Sequence, residues 1–241
     1  MALHFVDDAA ASAGPGDVVA LTGSEAHHAA SVRRVRAGEA VTLTDGRGAW
    51  LEGAVVSADP KRVEIRIDAR DERSVPARRV LLAQALAKGD RDELAVQAAT
   101  ELGIDGIVPW QAARSVSRWQ GPKADKGRAR WQSIVREAAK QAHRAWIPEV
   151  EAVVPTAELA ARTGATCVVL DPWTDAALTS AELPAGDLIL VVGPEGGIAP
   201  EEIERLTAGG AIRARLGDSV LRTSTAGPAA LAVLNARLGR W

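Results

Sequence analysis

The chain has 241 residues, 47% hydrophobic and 25% charged, with a formal net charge of −2. That is enough apolar material for one large core or two modest ones. No run approaches the roughly 20 apolar residues of a membrane span, and Met1-Ala2-Leu3-His4-Phe5 lacks the zones of a secretory signal, so a cytoplasmic protein with no membrane association is expected.

The first seventy residues read as short strands, Val18 to Leu21, Ala40 to Thr44, Trp50 to Val56 and Val63 to Ile67. Asp45-Gly46-Arg47-Gly48 has hairpin chemistry and Asp59-Pro60 turns the chain again. One helix interrupts the strands, with Ser24 as its N-cap and its end before Gly38. Together these predict a small β-barrel with one helix. The run Arg33-Arg34-Val35-Arg36 either faces phosphate or places cations where the helix dipole favours them.

The polar stretch Asp71 to Pro76 changes the composition and divides the chain into residues 1–73 and 74–241. Beyond it strands and helices alternate: strand Val80 to Ala85, helix Asp90 to Leu102, strand Gly106 to Trp110, helix Lys126 to Ala145, helix Thr156 to Arg162, strand Thr166 to Leu170, helix Asp175 to Leu183, strand Leu188 to Val192, helix Pro200 to Gly209, strand Ile212 to Leu216 and helix Thr225 to Leu238. Such alternation predicts an α/β domain around a mostly parallel sheet. Cys167 sits in the apolar run Cys167-Val168-Val169-Leu170, where a thiol behaves as a small hydrophobe, and a lone cysteine forms no internal disulfide. Four histidines (His4, His27, His28, His143) at no ligand spacing predict no metal.

Charge is unevenly spread. From Arg114 to Pro148 nine basic residues face two acidic ones, a local +7 that leaves the rest of the chain at −9. Such a strip suits a polyanion, while a solvated helix face is the plainer reading. Within it Arg136, Lys140 and Arg144 follow at four-residue steps, opposite an apolar face containing Trp131. Trp119, beside Arg118, is the indole best placed to stack on a base.

The chemistry concentrates in two loops. Strand Leu188 to Val192 delivers the chain into Gly193-Pro194-Glu195-Gly196-Gly197, and ligands of open α/β sheets bind where strand C-termini meet such loops. Neither a Gly-Lys-Ser/Thr phosphate loop nor a Gly-x-Gly-x-x-Gly fingerprint is present, and Pro200-Glu201-Glu202 places carboxylates where a pyrophosphate would need a free helix end. The second loop, Leu216 to Ala226, again joins a strand to a helix. Two such loops can clamp a flat ring by backbone hydrogen bonds, with Leu216 and Leu221 as apolar walls. Alternatively Ser224 or Thr225 is an N-cap, Leu221 core and Arg222 a surface cation.

Read as a set, Gln84 to Arg91, Ala99-Thr100-Glu101-Leu102-Gly103, Arg130-Trp131 with Glu137 to Gln141, Gly193 to Gly197 and Leu221-Arg222-Thr223 resemble the bacterial RsmE family, 16S ribosomal RNA uridine N3-methyltransferases of the SPOUT class. The resemblance spans essentially the whole chain. It implies a PUA-like RNA-binding β-barrel over 1–73 and, over 74–241, a SPOUT domain knotted as a deep trefoil, acting as a homodimer on 16S ribosomal RNA or the small ribosomal subunit, at uridine 1498. It places S-adenosyl-L-methionine among Leu170, Gly193, Pro194, Glu195, Gly196, Gly197, Leu216, Gly217, Leu221, Thr225 and Ala226, with Arg222 as the catalytic residue. RNA is assigned to Arg33, Arg34, Lys88, Arg91, Arg114, Trp119, Arg136 and Lys140, and Glu195, Asp90 and Glu101 are the candidate bases. Where the family often has an arginine and a glutamate this chain has Ser219 and Ser224, which keeps open a noncatalytic RNA-binding or ribosome-assembly factor, or a methyltransferase acting on a different RNA.

Overall fold

The computed structural model describes residues 2–241. They form two compact units. One takes the chain up to Val75 together with Ala139–Ile147, and the other comprises Pro76–Ala138 and Pro148–Trp241. The segment 139–147, expected in the second unit, is therefore part of the first.

In the first unit β1 (Leu3–Val6), β2 (Val18–Thr22), β3 (Ala40–Thr44), β4 (Ala49–Asp59) and β5 (Arg62–Glu72) form one sheet in the order β1-β3-β4-β5-β2. Only β1 and β3 run parallel. The short β1 adds a fifth strand to the four expected. At the β3–β4 turn the Asp45 carboxylate accepts from the N–H groups of Arg47 at 2.7 Å and Ala49 at 3.1 Å, so the side chain supplies the backbone bonds that the turn lacks. Phe5, Leu21, Leu43, Leu51, Val63, Ile65 and Ile67 alternate inward and fill the core. Helix α1 (Gly23–His27) starts at Thr22 instead of Ser24 and passes into a wider turn over His28–Val32.

The second unit is built on β6 (Val80–Ala85), α2 (Arg91–Glu101), β7 (Gly106–Gln111), α3 (Pro122–Gln141), β8 (Glu149–Val150), β9 (Val154–Pro155), α4 (Thr156–Ala160), β10 (Ala165–Leu170), β11 (Asp187–Val192), α5 (Pro200–Ala208), β12 (Ile212–Ala214) and α6 (Thr223–Arg237). The strands make a seven-stranded sheet, β12-β10-β11-β6-β7-β8 with β9 also on β7, and every pair is parallel. Strands buried on both faces need continuous apolar runs, which Val80 to Ala83 and Leu188 to Val192 supply. One face carries Ala83, Val108, Val169 and Val191 into a cluster with Leu159 of α4 and Leu206 of α5. On the other, Leu82 and Val192 lie under Gly227 of α6.

One expected helix is absent. Residues 175–183 form turns, because Ala177 bridges Arg215. Arg215 N–H donates to the Ala176 carbonyl and Leu178 N–H to that of Arg215, both at 2.8 Å. Backbone groups committed to a distant residue cannot also close a helix.

Candidate functional site

Because all strands of the second sheet are parallel, the loops after β6, β7, β10, β11 and β12 emerge along one edge. The chain order also reverses there, β7 lying on one side of β6 and β11 on the other. Such a switch point opens a crevice beyond the strand ends. It holds a cavity of about 620 Å³ walled by the loops after β10, β11 and β12, with Arg91 and Arg114 contributed by the loops after β6 and β7.

The β11 loop is shaped by two glycines. A side chain at Gly193 would meet Ile198 at 2.6 Å, and Gly197 turns back at φ +71 while its N–H bonds the Pro194 carbonyl at 2.8 Å. Thr223 ties this loop to the next. Its hydroxyl donates to the Gly193 carbonyl at 2.8 Å and accepts from Gln84 Nε2, buried in β6, at 2.9 Å. Helix α6 is thus N-capped at Arg222, two or three residues before the N-cap its sequence suggested.

From Leu216 to Leu221 no backbone N–H is engaged by another backbone group among the described residues. Leu170, Val192, Leu216 and Leu221 line the same cavity. A loop whose backbone groups bond no other backbone, beside apolar walls, suits a flat ligand with a polar edge.

The α5 terminus is closed to anions. Glu202 is buried and accepts from the N–H groups of Ala113 at 2.9 Å and Ala199 at 3.3 Å and from the Thr156 hydroxyl, which accepts from the Trp110 indole at 3.1 Å. This network also fixes the β7 loop, from which Arg114 reaches the Gly196 carbonyl at 3.0 Å.

Glu195 is held as an anion. It accepts from Lys88 N–H at 3.1 Å and Arg91 Nη1 at 2.8 Å. Desolvation pushes its carboxyl up, but bonds from its own and the Lys88 backbone and from Arg91 outweigh this and hold it below the usual range. Asp90 is the N-cap residue of α2 but makes no capping bond with its side chain. The neighbouring Asp92 is buried and accepts from Ala87 N–H at 2.9 Å; burial above all raises its carboxyl. Glu101 ends α2, exposed and bonded to Gln97.

Of the expected cofactor residues, Leu170, Gly193, Pro194, Glu195, Gly196, Gly197, Leu216, Gly217, Leu221 and Ala226 all line the cavity, as do Arg91, Arg114 and Arg222. Thr225 is exposed in the first turn of α6 and is not part of the wall. The Lys88 side chain is exposed and is not part of the wall either. The other RNA candidates lie elsewhere. Arg33 and Arg34 are exposed in the first unit, Arg34 in the left-handed region at φ 56. Arg136 is half-buried on α3. Trp119 is no free platform: it is half-buried, packed on Gly127 and edge-on to Trp131 at 5.0 Å. Lys140 departs most from expectation, being buried in an ion pair with Glu25 at 2.9 Å.

Sequence reasoning missed Asp171. Its buried carboxylate takes Trp173 N–H at 3.0 Å on one oxygen and Arg213 on the other. The Asp-Pro pair after an apolar strand was the available signal.

Residues 74–235 match the family described as RNA methyltransferase domain, and residues 21–68 match the RNA methyltransferase PUA domain. A parallel α/β unit with a strand-end cavity, next in the chain to a PUA domain, thus defines an RNA methyltransferase. Similarity narrows the class. The chain is 45% identical over 235 residues to ribosomal RNA small subunit methyltransferase E of Mycobacterium bovis, covering 94% of this chain and 89% of that one. It is 35% identical over 227 residues to the protein of that name from Bacillus subtilis, covering 89% and 88%. The crystal structure of a Neisseria gonorrhoeae ribosomal RNA small subunit methyltransferase E bound to S-adenosyl methionine superposes with a TM-score of 0.88 at 28% identity, over 98% of each chain. The chain belongs to the ribosomal RNA small subunit methyltransferase E family.

Proposed function

We propose that the chain methylates N3 of a uridine in 16S ribosomal RNA, with S-adenosylmethionine as donor. The observation that carries this reading is the strand-end cavity, where the unengaged backbone of Leu216 to Leu221 faces the glycine loop Gly193 to Gly197 across apolar walls. An adenine ring asks for such a lining, with hydrogen bonds at its edge and hydrocarbon on its faces. The ligand-bound relative from Neisseria gonorrhoeae supports the same assignment.

When bound, the cofactor supplies a methyl group on a sulfonium, so its leaving group needs no proton. The chain's own residues have three tasks. Gly193 to Gly197 and Leu216 to Leu221 hold the donor in line with the acceptor, the entropic part of the barrier. Leu170 and Leu221 keep water from the transfer. Arg222, on the cavity wall with no ion pair among the described residues, stabilises negative charge as N3 of the uracil gives up its proton to solvent water. Glu195, already an anion held by Arg91, positions the loops and is not the base.

The surrounding cations serve the RNA. Arg91, Arg114 and Lys88 act near the cavity, and the exposed Arg33 and Arg34 act from the PUA domain, where phosphate contacts orient without reading sequence. Family membership supports a SPOUT domain with a trefoil knot, a cytoplasmic location and a homodimer. For the knot, the chain after β12 also bridges the β10 loop at Ala177 before laying α6 on β6 and β11.

The test is nucleoside mass spectrometry of 16S ribosomal RNA from cells with and without the gene. Loss of N3-methyluridine, restored by the intact gene, is the expected result; an unchanged level refutes the reading. Calorimetry with S-adenosylmethionine adds a direct check, since absence of binding would leave a noncatalytic RNA-binding factor.

A further inference from the structure

Trp173 is 82% exposed, yet it lines the cavity. Its backbone is held firmly. The Asp171 carboxylate, 3% exposed, receives Trp173 N–H at 3.0 Å, while its other oxygen is locked to Arg213. An anchored main chain thus presents an indole that has almost no protein behind it.

That exposure, greater than that of Val220 at 66% or Leu221 at 37%, separates Trp173 from the rest of the apolar wall. Leu170, Val192, Leu216 and Ile203 are buried or half-buried because one side of each packs on the fold. A ring left this open has its faces available to something that arrives from solvent. Exposing so much apolar surface next to a functional crevice points to a partner that covers it.

The charge lining the same cavity identifies the partner's chemistry. The carboxylates on the cavity wall, Asp171 and Glu195, are each neutralised by an arginine. Of the arginines on the wall, Arg114 bonds only a neutral carbonyl and Arg222 has no ion-pair partner among the described residues. An aromatic platform on a cavity that also carries uncompensated cations is how single-stranded nucleic acid is gripped, base on ring and phosphate on guanidinium.

We propose that Trp173 is a substrate-positioning residue that stacks on a nucleobase of the RNA entering the cavity. This rests on the methyltransferase reading given above. It gives the stacking role that the sequence assigned to Trp119 to an indole on the cavity itself.

The experiment compares wild type, Trp173→Ala and Trp173→Phe, using a 16S ribosomal RNA transcript for binding and small ribosomal subunits from cells lacking the gene for methyl transfer. Trp173→Ala should weaken RNA binding and raise KM for the subunits by roughly 5- to 150-fold, the span of base–aromatic stacking. Phenylalanine should recover most of the loss. Turnover at saturation and S-adenosylmethionine affinity should stay within about threefold, since an exposed ring acts on ground-state positioning rather than on the transition state. RNA binding that is indifferent to Trp173 overturns the proposal. So does a parallel loss of cofactor affinity, which would make the ring a cofactor wall, or a fall in molecular mass by light scattering, which would make it a contact between copies of the chain. If wild type binds RNA through Trp173 but transfers no methyl group, the stacking inference holds and the enzymatic reading fails.

Discussion

The Thr223 hydroxyl donates to the Gly193 carbonyl at 2.8 Å, joining the start of α6 to the glycine loop 30 residues before it. The same oxygen accepts from Gln84 Nε2 at 2.9 Å, so three segments remote in sequence meet at one hydroxyl. Thr223→Val keeps the shape and removes that oxygen. The unpaired Gly193 carbonyl should cost about 1–3 kcal/mol of stability, and the loosened clamp should weaken S-adenosylmethionine binding by roughly tenfold. Thr223→Ser should restore both. Thermal unfolding and calorimetry measure the two effects, and full cofactor affinity in the valine variant would remove the clamp from the account.

Arg222 occupies the N-cap position of α6, with its side chain exposed on the cavity wall. Because α6 draws no side-chain capping bond from it, Arg222→Ala should leave the helix and cofactor binding near wild type. Turnover with saturating RNA should fall by roughly 100-fold or more, the loss typical of removing one donor from a developing anion. Methyl transfer under single-turnover conditions reads this directly. A variant with unchanged turnover would place Arg222 outside the reaction.

Glu195 is a carboxylate on the cavity wall, and its bonds argue against a base. Arg91 and the Lys88 N–H hold the carboxylate, and its pKa lies below the ordinary value. Glu195→Gln should therefore leave the pH dependence of turnover unmoved. Cofactor affinity should drop several-fold, since losing a charge-assisted bond costs on the order of 1.5–3 kcal/mol, less where it is solvent-screened. A pH–rate profile of the variant decides the matter. Loss of its acidic limb would restore Glu195 as the base.

The parallel sheet was legible because strands buried on both faces announce themselves as unbroken apolar runs, as Leu188 to Val192 does. Both glycine loops were legible for a related reason, since each follows such a strand. What local pattern hid was non-local pairing. Residues 175–183 carry helix-forming residues, yet their backbone is claimed by Arg215. Lys140 keeps a basic periodicity with Arg136, but its charge is consumed by Glu25, 115 residues away. The Glu202–Thr156–Trp110 network and the Asp171–Arg213 pair likewise join residues that no window of sequence brings together.

His4 makes the stability of the first unit depend on pH. Its ring stacks between Trp50 at 4.8 Å and His143 at 5.1 Å, and its Nδ1 lies 2.8 Å from the Thr42 hydroxyl. Burial first, then the neighbouring His143, Lys140 and Arg73, lower its pKa from 6.5 to about 4 against a hydrogen bond with the Arg144 backbone that raises it. Between those values the unfolded chain binds a proton that the folded unit refuses. The contribution is therefore intact above about pH 6.5 and is lost as pH falls toward 4, with an upper limit on the order of 3 kcal/mol. His143 is shifted in the same direction, chiefly by desolvation, and adds to the slope. His4→Phe keeps an aromatic ring in the stack and abolishes the titration. Urea unfolding from pH 7 to 4 should show a smaller loss of stability in the variant than in wild type, whereas equal slopes would mean that His4 accepts its proton in the folded protein as easily as in water.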